Sequence, residues 1–252
     1  MKTAKIGKIT LESGKVKIAA PVIGKCEEDV LSDAVLLRKE NPDIVEWRAD
    51  FYWEEEGLKD FSLIMSTAKK LRIFLEDIPL IFTIRSAEEG GNAKVTLEVY
   101  ESIIREISKK SFADAIDIEI FKFSGQEERL ERLVDDVRKS GLTIIMSNHD
   151  FEKTPSIEEM MKRLQMMEAA GADLAKLAVM PRERQDVMDL MNATFLADQN
   201  LEIPLITMSM GELGKPSRVS GSVTGSCLTF SAKGKSLSAP GQISIEKIRG
   251  VL

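Results

Sequence analysis

Eight short apolar runs recur along the 252-residue chain, with successive starts 23 to 36 residues apart. They are VKIAAPVI from Val16, DIVEWRADF from Asp43, PLIFTIRS from Pro79, DAIDIEIF from Asp114, LTIIMSN from Leu142, ADLAKLAV from Ala172, IPLITMSM from Ile203 and SCLTFSA from Ser226. Each run is rich in β-branched residues, and each interval has room for a loop and a returning helix. The intervals carry that helical spacing. Val30, Ala34 and Leu37 mark a helix over Glu27 to Glu40, ahead of Asn41-Pro42. Similar stripes predict helices over Val95 to Ile107, Gln126 to Lys139, from Ser156 to Gly171, and over Arg182 to Leu196. Strands separated by helices imply a parallel sheet covered on both faces. Eight such units predict an α/β fold, a single (β/α)8 TIM barrel spanning residues 1–252. An open doubly wound sheet is the rarer alternative at this size. Ahead of the first unit, KIGKITLESGKVKIAA places a Glu-Ser-Gly turn between two alternating runs. It predicts an N-terminal β-hairpin closing the barrel bottom.

Charge and composition narrow the partners. Hydrophobic residues make up 43% of the chain, enough for a large core, which excludes disordered and collagen-like classes. A net charge of −6 argues against nucleic acid or an anionic membrane surface as partner. A small anionic substrate stays compatible, because a local arginine cluster can sit inside an acidic protein. No apolar run approaches the ~18 residues of a membrane span, and MKTAKIGKITLESGK lacks the apolar core of a secretory signal. Cys26 and Cys227 cannot form a disulfide framework, so a reducing, cytoplasmic setting is expected.

In a barrel, chemistry sits where strands end. Improbable polar residues collect there: Glu46 and Arg48 in the second run, Arg85 ending the third and followed by Glu88-Glu89-Gly90-Gly91, Asp117 and Glu119 in the fourth, Asn148-His149-Asp150 after the fifth, Lys176 in the sixth. Met208 and Met210 follow in the seventh, Arg218 in the loop beyond it, and Ser238, Gly241 and Gln242 in the loop after the eighth. Charged side chains are rarely buried unless paired. Lys176 is the sharpest feature. A lysine inside a low-dielectric barrel near arginines loses proton affinity, and its neutral amine can attack a ketone to form a Schiff base. The plain alternative is a lysine that points outward or snorkels to the rim. His149, the chain's one histidine, suits general acid–base work near neutrality. Elsewhere a lone histidine is more often structural. Arg48, Arg85 and Arg218 offer forked donors to a carboxylate or to hydroxyls, or else ion-pair with Glu46, Asp117 and Glu119. Zinc lacks its ligand spacing here, whereas a carboxylate-held Mg²⁺ on Glu46, Asp117 and Glu119 stays open on residue type alone.

From about Ile18 to Gln242 the chain resembles the type I 3-dehydroquinate dehydratases of the shikimate pathway. The resemblance rests on DIVEWRADF, PLIFTIRSAEEGG, DAIDIEIF, IIMSNHDFEKTP, GADLAKLAVMP, PLITMSMG, Pro216-Ser217-Arg218 and SAPGQI taken together. It implies a cytoplasmic carbon–oxygen lyase, commonly a homodimer, without metal or organic cofactor, that removes water from 3-dehydroquinate to give 3-dehydroshikimate. It further implies Lys176 as the Schiff-base lysine, His149 as the general acid–base group and Glu89 as its carboxylate partner. Arg218 would grip the substrate carboxylate, while Glu46, Arg48 and Arg85 hold the ring hydroxyls. Ser238 and Gln242 would belong to a closing loop, and Met208, Met210 and Phe230 to an apolar lining. Ser231 and Gly234 near the eighth strand, and Ala20-Pro21 in the first, depart from the family pattern. Two rivals compete with this reading: a class I aldolase-type barrel and a catalytically silent barrel that binds a shikimate-like acid.

Overall fold

The structure, a computed structural model, describes residues 2–57, 61–232 and 239–252. An antiparallel pair, β1 (Thr3–Ile6) and β2 (Ile9–Glu12), precedes eight parallel strands, β3 (Lys17–Val22), β4 (Ile44–Arg48), β5 (Leu80–Thr83), β6 (Ala115–Glu119), β7 (Thr143–Asp150), β8 (Leu174–Val179), β9 (Leu205–Ser209) and β10 (Leu228–Ala232). Each of the eight lies on one of the predicted runs. The order β10-β3-β4-β5-β6-β7-β8-β9 curls round on itself. A parallel bridge between Leu205 and Ser226, with Cys227 N donating to Leu205 O at 2.8 Å, joins the ends. The result is a (β/α)8 TIM barrel. A two-residue strand β11 (Ile243–Ser244) adds a ninth parallel member beside β10, which the run pattern does not anticipate.

The helices are α1 (Glu27–Glu40), α2 (Ala49–Tyr52), α3 (Phe61–Leu75), α4 (Leu97–Lys110), α5 (Glu127–Lys139), α6 (Ile157–Ala169), α7 (Arg184–Asn200), α8 (Gly221–Thr224) and α9 (Ile245–Arg249). Five fall where the apolar stripes predict them. The stripe reading has no helix between the second and third runs, where α3 stands. Ser156 caps α6 by accepting from Glu159 N, and Asn41 ends α1 in the left-handed conformation.

Period-two alternation sorts the strand residues into two cores. Val45, Trp47, Phe82, Ile116, Ile118, Met146 and Leu177 face outward and pack under the helices. Trp47 meets Phe82 and Tyr52 edge to face at 5.6 and 5.9 Å. Ala19, Ile44, Ile81, Ala115, Ile145, Leu174 and Ile206 face inward and form an apolar floor. Ile6 and Leu11 of the hairpin join that floor, each fully buried. The hairpin therefore plugs the bottom as expected, but its turn lies elsewhere. Ile6 pairs with Ile9 around Gly7-Lys8, while Glu12-Ser13-Gly14 makes the next turn, bridged by Glu12 and Lys15. Gly7 supplies the positive φ of 53° that the tight turn requires.

Candidate active site

Two residues further up each strand, in the same inward row, the apolar floor gives way to polar and charged side chains. Glu46 follows Ile44, Thr83 follows Ile81, Asp117 follows Ala115, Ser147 follows Ile145 and Lys176 follows Leu174. All five are buried. Lys176 Nζ donates to Asp117 Oδ2 at 2.9 Å and lies 3.5 Å from Glu46 Oε1, with the Phe230 ring centroid at 4.5 Å. The lysine points into the barrel, not out between helices. Its nearest charges are carboxylates, a pairing that the expectation of arginine neighbours leaves out. Thr83 Oγ1 donates to Glu46 Oε1 at 2.9 Å and fixes that carboxylate.

Arg85 knits the other side of the row. It donates from Nη2 to Asp117 Oδ1 at 2.7 Å and from Nη1 to Glu119 Oε1 and Ser147 Oγ, each at 2.9 Å. Ser147 Oγ donates on to Asp117 Oδ1 at 2.6 Å. Burial opposes ionisation of Asp117, but Arg85, Lys176 and His149 and the Ser147 hydrogen bond outweigh it and hold the carboxyl well below the usual carboxylate range. Arg48 is clamped by Asp50 through two 2.8 Å hydrogen bonds from Nε and Nη2, and its guanidinium lies 5.2 Å from the centroid of Phe51.

His149 stands at the top of β7, paired with Glu89 from the 3-10 turn Ala87–Glu89 that follows β5. The imidazole Nδ1 is 2.9 Å from Glu89 Oε2, and that oxygen also accepts the backbone N–H of His149 at 3.0 Å. Asn148 Nδ2 donates to Glu89 Oε1 at 3.2 Å. These donors assign the ring proton to Nδ1 and leave Nε2 with its lone pair. Burial, with Arg85 and Lys176 nearby, pushes His149 well below its ordinary value, so the ring is neutral around neutrality. Burial and the Glu119 charge push Glu89 up to about 8.

Arg218 occupies a 3-10 turn, Lys215–Arg218, in the segment after β9. It is 2% exposed, and among the described residues no carboxylate pairs with it. Its Nη2 donates to Pro240 O at 3.0 Å, Nη1 lies 3.5 Å from Phe230 O, and Nε has no hydrogen-bond partner among the described residues. Burial alone lowers its pKa to about 10. Such a guanidinium is poised for an anion.

Glu46, Arg48, Arg85, Glu89, His149, Lys176, Met208, Met210, Arg218, Phe230 and Gln242 all line one cavity at the C-terminal ends of the strands. Of the expected site residues, Ser238 lies outside the described residues. Sequence reasoning missed Asp50, Thr83, Ser147 and Phe151. Thr83 and Ser147 each stand two positions before a named residue, so alternation alone could have found them. Among the described residues no three His, Cys, Asp or Glu side chains are arranged to hold a metal ion. Glu46, Asp117 and Glu119 are instead committed to Thr83, Lys176 and Arg85.

The chain matches the type I 3-dehydroquinase family over residues 18–252. A 3-dehydroquinate dehydratase of Klebsiella pneumoniae is 42% identical over 245 residues, 97% of this chain and 95% of that protein. One from Clostridioides difficile is 41% identical over 249 residues, 97% and 93% of the two chains. Among solved structures, a type I 3-dehydroquinate dehydratase from Clostridium difficile with covalently modified comenic acid superposes with a TM-score of 0.92 at 39% identity, covering 99% of this chain and 96% of that one. A 3-dehydroquinate dehydratase from Geobacillus kaustophilus gives 0.92 at 36% identity over 100% and 95%. A matched family model over nearly the whole length, a shared barrel and relatives at this identity have one meaning: the chain belongs to the type I 3-dehydroquinase family, enzymes of the dehydratase class of lyases.

Proposed function

We propose that residues 1–252 act as one catalytic barrel that dehydrates 3-dehydroquinate to 3-dehydroshikimate through a Schiff base on Lys176. The observation that carries this reading is the placement of Lys176 Nζ, buried mid-barrel against two carboxylates, in a cavity it shares with the neutral imidazole of His149. The amine attacks the C3 ketone, and the carbinolamine loses water to give an iminium. That cation forms between Asp117 and Glu46, so its charge is compensated where it forms. His149 Nε2 removes a proton from C2, and the electron pair flows into the iminium to give an enamine. The enamine expels the C1 hydroxyl, which leaves as water with the proton that His149 returns. Hydrolysis of the new iminium frees the amine and the enone, and the cycle balances as substrate to product plus one water.

Arg218, buried without a carboxylate partner, would hold the ring carboxylate at the far end of the cavity. Glu46, Arg48 and Arg85 would face the hydroxyls, and Met208, Met210 and Phe230 the apolar ring faces. Gln242 sits at the covering segment, and Ser238 is assigned there on resemblance. Glu89 acts through His149 by accepting its Nδ1 proton. The reaction as written uses no metal and no organic cofactor. Cytoplasmic residence and a homodimer complete the reading. Exposed Leu36 on α1, with Ile73 and Phe74 on the adjacent α3, offers apolar surface for a second copy, and the mass in solution tests it.

Borohydride added with 3-dehydroquinate should fix a reduced adduct on the peptide carrying Lys176, while the free reaction builds conjugated-enone absorbance. Absence of both removes the reading. His149→Ala should still form the adduct yet lose turnover by ~10²–10⁴-fold, the usual scale of general acid–base help.

A further inference from the structure

Two cavities meet at Glu89 and His149. The front one is the cavity assigned to substrate. The rear one, of about 360 Å³, opens between α6 and the exits of β5, β6 and β7, with Ser86, Glu119, Lys122, Asn148, Glu159 and Arg163 in its wall. Glu89 and His149 are the two residues common to both linings. Strand alternation creates the arrangement. His149 points into the barrel, so Asn148 beside it points out toward α6. Glu89 straddles the strand edge, with Oε2 on the His149 ring and Oε1 on the Asn148 amide.

From Asn148 a chain of hydrogen bonds continues to the surface. Arg163 Nη1 donates to Asn148 Oδ1 at 2.9 Å, and Arg163 Nε donates to Glu159 Oε1 at 3.0 Å. The Glu159 side chain is 44% exposed. Ser86 Oγ and Glu119 Oε2, from two residues of the same wall, have no hydrogen-bond partner among the described residues. Buried polar atoms are nearly always satisfied, if not by protein then by ordered water. A cavity this polar and this large admits water.

We infer that the rear cavity is a water-filled proton entry to the Glu89–His149 pair, open to solvent while the front cavity is occupied. The inference rests on the acid–base reading of that pair. Once Nε2 has taken up a proton, the imidazolium passes its Nδ1 proton to the Glu89 carboxylate and from there to a water of the rear cavity, and a solvent proton returns by the same path. No carbon bond changes and no net charge moves. The value of such a route is timing. Forming and hydrolysing an iminium shifts protons between the lysine and the imidazole, and the rear path lets the pair re-equilibrate without uncovering substrate.

The single histidine makes the test direct, because ¹⁵N-histidine labelling gives one imidazole signal. Magnetisation transfer from water to the Nδ1 proton is followed with the front cavity filled by the borohydride-reduced adduct on Lys176. Exchange should persist in the filled parent protein, slow severalfold in Glu159→Trp, which narrows the rear opening, and stay near the parent rate in Glu159→Ala. Exchange that stops when the front is filled overturns the inference, as does an unchanged rate in Glu159→Trp. If no adduct forms, the Schiff-base reading is what fails. The rear route is then decided by Glu159→Trp against Glu159→Ala in the unliganded protein, where equal rates overturn it.

Discussion

A guanidinium buried without a counter-ion costs the free protein stability, and among the described residues Arg218 is in that position. The cost makes sense if the counter-ion arrives with the substrate. Arg218→Met should therefore raise the thermal midpoint of the unliganded protein while raising KM by about 10- to 100-fold, the worth of a charge-assisted hydrogen bond of ~1.5–3 kcal/mol. Calorimetry and steady-state kinetics on one preparation check both halves, and a lower midpoint with unchanged KM would make Arg218 a structural residue. Glu89 supplies a second residue-scale prediction. Its folded pKa is raised from an ordinary 4.5 to about 8 by burial and Glu119. A raised carboxyl holds its proton in the fold after the unfolded chain has lost it, so its contribution to stability is full below 4.5 and declines as pH rises toward 8. Glu89→Gln removes that decline. The stability difference, variant minus parent, should grow between those two pH values and level off above, as read by denaturant midpoints across pH, while turnover falls because the amide can accept a hydrogen bond from Nδ1 but cannot take up its proton. A pH-independent difference would mean that Glu89 is already ionised in the fold. Lys176 and His149 are legible in the sequence because each is chemically out of place, a charge in an apolar strand and a lone imidazole at a strand exit. Asp50, the clamp on Arg48, is not legible, since its role depends on a side-chain orientation that strand spacing does not specify.

At the scale of elements, the site depends on how tightly the segment after β5 folds back. Gly91 N donates to Ser86 O at 2.8 Å, and Ala87 N to Ala93 O at 3.0 Å. A Cβ on Gly91 would stand 2.2 Å from Arg85 O, a backbone atom that cannot swing aside. Gly91→Ala should displace the 3-10 turn that carries Glu89, lowering kcat and costing ~1–3 kcal/mol through overpacking. Wild-type kcat at full stability would mean that the turn relaxes without moving Glu89. The elements themselves are unevenly written in the sequence. All eight barrel strands lie on apolar runs, because a parallel strand covered on both faces has no choice but to be apolar on its outer row. Helix α3 escapes the stripe reading although Ile64, Ala68, Leu71 and Leu75 bury at helical spacing. Its exposed Ile73 and Phe74 blur the contrast between faces that makes a stripe visible. The hairpin turn is misplaced by one connection because Gly7 and Gly14 are equally good turn residues. Only the need to send Ile6 and Leu11 into the floor selects the first.

The whole molecule divides its labour along the barrel axis. Apolar residues fill the floor, paired charges occupy the middle row, and the cavity opens above them, so stability and chemistry are held at opposite ends. The hairpin is the clearest case. Leu11 is fully buried among Ile44, Ile81, Ala115 and Ile145, and those residues belong to the bottom layer, two positions before Glu46, Thr83, Asp117 and Ser147. Leu11→Ala should leave a cavity that the strand ends cannot collapse into, because each is pinned by neighbours on both sides. The expected loss is ~2–5 kcal/mol. Well below the thermal midpoint, kcat, KM and the yield of the borohydride adduct should match the parent, since no interior hydrogen bond of the charged row involves the hairpin. A denaturant titration monitored in parallel by activity and by tryptophan fluorescence separates the two effects: the midpoint should move while the native baseline of activity does not. A kcat that falls in step with stability would mean that the floor sets the geometry of the charged row, and that the two ends of the barrel are coupled.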